Sequence, residues 1–310
     1  MLTVKTLFTC QFFKKFIMKK IFYVIIASVF FIQCGKPKEK TSENSTPPDN
    51  SAKNLNVSIL IDLSDRIDPE KNPNPTMEYF QRDTEYIKSI EKGFLDHIKS
   101  KKVIQLNDQM QVFFNPEPLD PKMNELTKEL KVSFDKNTTK ENISLVEKKY
   151  SQLPLAIYQS AIKDKKYVGS DIWEFFKNKV NDYCIKDNHR NILYILTDGY
   201  MYHKDSRFSE GKKTSYLTPE LIKSLNLNSS GFKSAIKDKN LGFVKANENL
   251  EDLEVIVLGI NPVKGNPFEA DVIKEYWENW FKEMKIKKYQ IKSADLPSNL
   301  EPVILKAMMP

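Results

Sequence analysis

From residue 54 onward, short apolar runs alternate with longer stretches that are apolar on one side only. Residues 57–61 (VSILI) form a β-branched, apolar run of the length of a buried parallel strand. A polar, proline-rich loop at 65–75 follows, and Thr76 is placed to cap a helix over 77–99. Residues 109–114 and 130–134 read as two more strands. Residues 141–163 read as helix with a break near Pro154, and 171–183 as an amphipathic helix with Ile172, Phe175, Phe176 and Val180 inward. Residues 191–197 (NILYILT) and 253–260 (LEVIVLGI) are the clearest central strands. The stretch 268–284 is a helix whose stripe of Ile273, Trp277, Trp280, Phe281 and Met284 has core spacing rather than that of an aromatic binding face. A strand at 288–291 and a final helix close the chain. Strands alternating with helices predict an α/β fold: a doubly wound, mostly parallel central sheet with helices on both faces. No internal repeat is visible.

The first 33 residues do not fit that pattern. Met18, Lys19 and Lys20 precede an apolar run at 21–32, which ends at Gln33-Cys34-Gly35. A basic start and a short apolar stretch read as a secretory signal. The run is shorter than the roughly 20 residues that a membrane span needs. With its terminal cysteine it resembles a bacterial lipoprotein signal, although Phe31 and Ile32 depart from the usual Leu and small residue. That resemblance implies that Cys34 is lipidated and becomes the mature N-terminus. Met18 is the more natural start. Residues 34–54 are polar and read as a disordered tether. The expected organisation is therefore a signal at 1–33, a tether at 34–54 and one domain at 55–310, lipid-anchored on the bacterial cell envelope.

Composition sharpens this picture. The 310 residues are 40% hydrophobic and 11% aromatic, enough for a substantial core. The net charge of +7 suggests a nucleic-acid partner until it is located. Five lysines lie before residue 33 with no acidic residue among them; removing them from 48 leaves 43 basic against 41 acidic residues. A nearly neutral domain has no footprint for a phosphate backbone, so no nucleic acid is expected. Three cysteines and three histidines give neither a disulfide framework nor a metal-spaced pair, and Cys184 reads as a small buried hydrophobe.

In a parallel sheet, ligands collect beyond the carboxyl ends of the strands. Two central strands here run into an aspartate: Asp62-Leu63-Ser64-Asp65-Arg66 and Thr197-Asp198-Gly199. Asp62, Ser64 and Asp198 could share a focus and offer oxygens to a hard cation. An Asp-x-Ser strand end followed by a Thr-Asp-Gly strand end resembles the metal-ion-dependent adhesion site of von Willebrand factor A domains. Gly169-Ser170 stands where that family has Gly-Thr. The resemblance spans about 55–310 and implies Asp62, Ser64, Ser170 and Asp198 as metal ligands, with Mg2+ or Mn2+ as the ion. The family pattern is Asp-x-Ser-x-Ser, and its last serine is Arg66 here. Arginine has no acceptor and cannot ligate a cation. Pointing inward, Arg66 would compete with the metal by pairing with Asp62 or Asp198; pointing outward, it would leave a position for water. Ser170 could instead cap the next helix, Asp198-Gly199 could be only a turn, and Asp65 and Asp68 read as solvated loop residues.

The connection at 200–252 is long and should emerge beside Asp198, with a helix near 218–225. Its Tyr200, Tyr202, His203 and Arg207 suit a protein interface; its aromatics could equally anchor it. The function expected is a non-enzymatic, membrane-tethered binding or scaffold module with a protein partner. One alternative is a magnesium-dependent hydrolase or phosphatase with Asp62 as nucleophile, but Ser64 stands where an Asp-x-Asp enzyme has its acid/base. A structural envelope protein with a degenerate site is the other.

Overall fold

The central strands form because their residues alternate cleanly between two apolar faces. A computed structural model describes residues 53–167 and 169–309. The signal, Cys34 and nearly all of the tether lie outside the described residues. Strand β1 (Asn54–Ile61) is followed by a 3-10 turn (Asp65–Ile67) and helix α1 (Tyr79–Ser100). Next come β2 (Asp108–Phe114), α2 (Pro121–Glu129), β3 (Val132–Phe134) and α3 (Lys140–Asp164). Two short helices, α4 (Ile172–Asn178) and α5 (Val180–Cys184), lead into β4 (His189–Leu196). The long connection holds β5 (Ser209–Glu210), β6 (Lys213–Thr214), α6 (Pro219–Ser224), α7 (Phe232–Asp238) and β7 (Gly242–Phe243). The chain ends with β8 (Leu253–Ile260), α8 (Glu269–Glu283), β9 (Lys288–Ser293) and α9 (Pro297–Met308).

The main sheet has the order β3-β2-β1-β4-β8-β9. Its pairings are parallel except for β2–β3, which is antiparallel. On one face Val57, Ile59 and Ile61 of β1 join α1, α3 and α9; on the other Leu60, Leu193 and Ile195 join α4, α5, α8 and the connection. This is the doubly wound α/β fold expected. From β1 the chain moves to β2 on one side and later returns to β4 on the other. The carboxyl ends of β1 and β4, with Ile61 opposite Leu196, are therefore the topological switch point.

Several local expectations are corrected. Helix α1 starts after Glu78, not at a Thr76 cap, with the Gln81 side chain accepting from the Glu78 N–H. Pro154 does not break α3: it is buried mid-helix beside Tyr150, Ile157 and Tyr158, and tertiary packing outweighs a local cost of about 3 kcal/mol. The 171–183 helix is two helices meeting at Lys179. The stripe of Ile273, Trp277, Trp280, Phe281 and Met284 is core, and Cys184 is buried, its thiol pushed up to about 12 by burial.

Candidate functional site

Asp62 is the first residue past β1, and its N–H still bonds to the Leu196 carbonyl at 3.0 Å. The strand ladder thus fixes the backbone from which its side chain projects. Its Oδ1 accepts the Ser64 N–H at 2.8 Å, and its Oδ2 accepts the Thr197 hydroxyl at 2.8 Å. The Thr197 hydroxyl in turn accepts the Gly199 N–H at 3.1 Å. Gly199 has φ +99°, and a Cβ there would meet Ile273 and Ile260 at 2.6 and 2.7 Å. Asp198 is half-buried; its Oδ1 accepts the Tyr200 N–H at 3.1 Å and its carbonyl accepts the Asn261 N–H at 2.9 Å. Burial and then the Asp62 charge push the Asp198 carboxyl up to about 7, partly offset by Arg66 and the Tyr200 N–H.

Arg66 points inward. Its side chain is 5% exposed, and Nη2 donates to the Asp62 carbonyl at 3.0 Å and to the Leu196 carbonyl at 3.0 Å. The same nitrogen lies 2.5 Å from Asp83 Oδ2, and Nε lies 3.5 Å from Asp62 Oδ2. Asp83 Oδ2 also accepts the Tyr158 hydroxyl at 2.8 Å. One guanidinium therefore joins the ends of β1 and β4 to α1 and α3. Burial alone would lower the pKa of Arg66, but the charges of Asp83 and Asp62 outweigh it and the net shift is upward. Burial and then Asp83 hold the Tyr158 hydroxyl well above its ordinary value.

Asp62, Ser64, Thr197, Arg66 and Asp198 thus converge, and Arg66 pairs with Asp62 and Asp83, where Asp62 or Asp198 was expected. Ser170 is buried, but its backbone bridges to Tyr202, with its N–H 3.4 Å from the Tyr202 carbonyl; among the described residues it does not enter the bonds around Asp62. It does not cap the next helix either: Asp171 does, accepting the Glu174 N–H at 3.0 Å. Asp68 is buried rather than solvated, its Oδ1 accepting the Glu70 N–H at 2.9 Å. Asp65 is exposed, as expected.

Asp83 and Tyr158 were missed in sequence. Their signal was present: Asp83 takes the helix position that Ile87, Ile90 and Phe94 continue, so a carboxylate stands in an apolar stripe. Such a group must be paired or pay heavily for burial.

The connection after Asp198 divides into anchors and a surface. The Tyr200 hydroxyl donates to Glu269 and accepts the Val263 N–H at 3.0 Å. Trp277 Nε1 donates to the Gly199 carbonyl at 2.9 Å, and Trp173 and Trp280 both donate to the Val244 carbonyl, at 2.8 and 3.0 Å. His203 Nδ1 lies 3.3 Å from Asp171 Oδ2. Tyr202 is 43% exposed and Phe208 is exposed too. The exposed Arg207 guanidinium lies 5.0 Å from the Tyr216 ring centre and 6.0 Å from that of Tyr202. Leu119 and Val263, in the loops after β2 and β8, are exposed near the same edge of the sheet.

No family model matches the sequence, and no curated protein matches it. Solved structures give distant likenesses. An aerotolerance-related membrane protein from Bacteroides fragilis is 12% identical, with TM-score 0.38, over 82% of this chain and 98% of that one. The conserved hypothetical protein BatB from Bacteroides thetaiotaomicron is 11% identical, with TM-score 0.35, over 81% and 96%. The pilus adhesin SpaC from Lactobacillus rhamnosus GG is 9% identical, with TM-score 0.39, over 83% of this chain and 30% of the adhesin. At such values the likenesses carry no functional weight.

Proposed function

We propose that residues 55–310 form a von Willebrand factor A-like binding module, tethered to the bacterial cell envelope through Cys34, that recognises a protein partner with the carboxyl edge of its sheet. The supporting observation is what that edge carries: a topological switch point lined by Asp62, Ser64 and Asp198, from which the chain runs directly into the exposed Tyr202 and Arg207, packed with the half-buried Tyr216. Ligands of parallel sheets gather at such points. Exposed aromatics braced by an arginine have the make-up of interface anchors, because they offer contact area at low entropic cost. Phe208 packs edge-on against Trp173 at 4.9 Å, which ties this surface to the core. The same geometry disfavours the hydrolase alternative. Asp62 is buried, and a hydrogen bond to each of its oxygens, from the Ser64 N–H and the Thr197 hydroxyl, weakens it as a nucleophile. Among the described residues no helix is long and apolar enough to cross a membrane. The attachment proposed is the lipid at Cys34, on the strength of the basic start, apolar run and cysteine at 18–34.

The test is photo-crosslinking in cells. A photoreactive residue at Tyr202 should give a discrete protein adduct. One at Ile104, 80% exposed in the segment that precedes β2 at the opposite edge, should not. Equal adducts at both positions, or none at Tyr202, would remove this face as the binding surface.

A further inference from the structure

The position that the adhesion-site pattern gives to a second ligating serine is held by a buried cation. We infer that the Arg66 guanidinium is a built-in counter-ion that takes the place of a divalent metal, so the site is held together by the protein alone and is closed to metal. Three observations carry this.

The first is the use of the acceptors. Asp62 Oδ2 receives the Thr197 hydroxyl at 2.8 Å and faces Arg66 Nε at 3.5 Å, while Oδ1 receives the Ser64 N–H at 2.8 Å. Nε makes no hydrogen bond to Oδ2, but its charge faces that oxygen, so a metal taking Oδ2 would have to share it with a cation already in place. The second is the counter-charge. Asp83 and Tyr158, both buried, lie outside the motifs that carry the resemblance, yet Asp83 pairs with Arg66 at 2.5 Å and accepts the Tyr158 hydroxyl at 2.8 Å. This partner set suits a permanent cation rather than an exchangeable one. The third is the backbone. Nη2 donates to the carbonyls of Asp62 and Leu196, so the guanidinium itself joins the two strand ends at the switch point. Arginine does not deprotonate, and Asp83 and Asp62 favour its charge further. A divalent ion brought in beside it would compete with the guanidinium for the Asp62 charge.

One consequence concerns recognition. A partner carboxylate has no open metal position to complete and meets the Asp198 carboxylate instead. The inference concerns the chemistry of the site and stands whether or not the face binds the partner proposed above.

The test uses the full chain in mild detergent, with thermal unfolding followed in excess Mn2+ or Mg2+ and in chelator, and free Mn2+ followed by electron paramagnetic resonance. The wild type should melt at the same temperature in all three conditions and leave Mn2+ free. Arg66→Ser restores a hydroxyl and vacates the guanidinium's space; it should melt lower in chelator and recover with Mn2+. Arg66→Met fills that space without ligating; it should melt lower and not respond. Stoichiometric Mn2+ binding by the wild type, lost in Asp198→Ala, would overturn the inference. So would an Arg66→Ser protein as stable as the wild type in chelator. If Arg66→Ser does not fold, the wild-type titration still decides.

Discussion

Replacing Asp83 by alanine removes the acceptor that two buried donors share. Arg66 Nη2 lies 2.5 Å from Asp83 Oδ2, and the Tyr158 hydroxyl donates to the same atom at 2.8 Å. The two side chains of the ion pair are 5% and 3% exposed, so solvent screens it little and water cannot readily replace the lost acceptor. Breaking a buried pair by removing one partner costs about 3–5 kcal/mol. Leaving a buried hydroxyl without an acceptor costs about 1–3 kcal/mol. The two losses share one atom and do not add, and Asp62 Oδ2 at 3.5 Å still offsets part of the guanidinium's charge. A net loss of about 3–4 kcal/mol is expected, a large part of the roughly 5–15 kcal/mol by which domains are stable. Urea unfolding checks this, with the midpoint falling and the slope unchanged. Asp83→Asn keeps an oxygen for Tyr158 and should lose less. Lys71→Ala is the control: its pair with Asp65 is 54% and 56% exposed, so the loss should stay under about 1 kcal/mol. A loss for Asp83→Ala no larger than that control would refute the claim that Arg66 depends on Asp83.

Other outcomes follow from other parts of the molecule. Gly199→Ala should destabilise by about 1–3 kcal/mol, measured by urea unfolding, because φ is +99° and the new methyl would lie 2.6 Å from Ile273. Glu91 has a buried Oε1 without a hydrogen-bond partner, and burial and then Glu147 push its carboxyl up to about 7 from 4.5. The folded state therefore holds that proton in a window where the unfolded state has lost it, so wild-type stability should fall as pH rises from about 4.5 to about 7. Glu91→Gln should flatten this slope in urea titrations across that window; an unchanged slope would mean that Glu91 is not its source. Cys34→Ser should move the protein from the membrane to the soluble fraction, and a variant still sedimenting with membranes would contradict lipidation there.

How much of this was legible in the sequence depended on whether a feature was local. The strands at 57–61, 191–197 and 253–260 stood out because a buried parallel strand needs only its own apolar run; they appear as β1, β4 and β8, with Thr197 one residue past the end of β4. Asp62 and Asp198 were visible because each ends such a strand. The orientation of Arg66 was not, because it is set by Asp83, 17 residues away, and by Leu196, 130 away. Tyr158 could not be assigned to the site for the same reason: its partner lies 75 residues off. The alternative reading of Ser170 as a helix cap failed because two neighbours competed for one cap, and Asp171 took it. Pro154 shows the reverse effect, a local breaking signal overridden by a helix buried on both sides of it.

The central claim is a protein-binding face at the carboxyl edge that needs no metal. Its most direct test is partner capture by the wild type and by Tyr202→Ala/Arg207→Ala, each with and without chelator, followed by mass spectrometry. The expected result is a partner retained by the wild type in both conditions and lost by the double variant in both. Capture that chelator abolishes, or that the double variant retains in full, would contradict it.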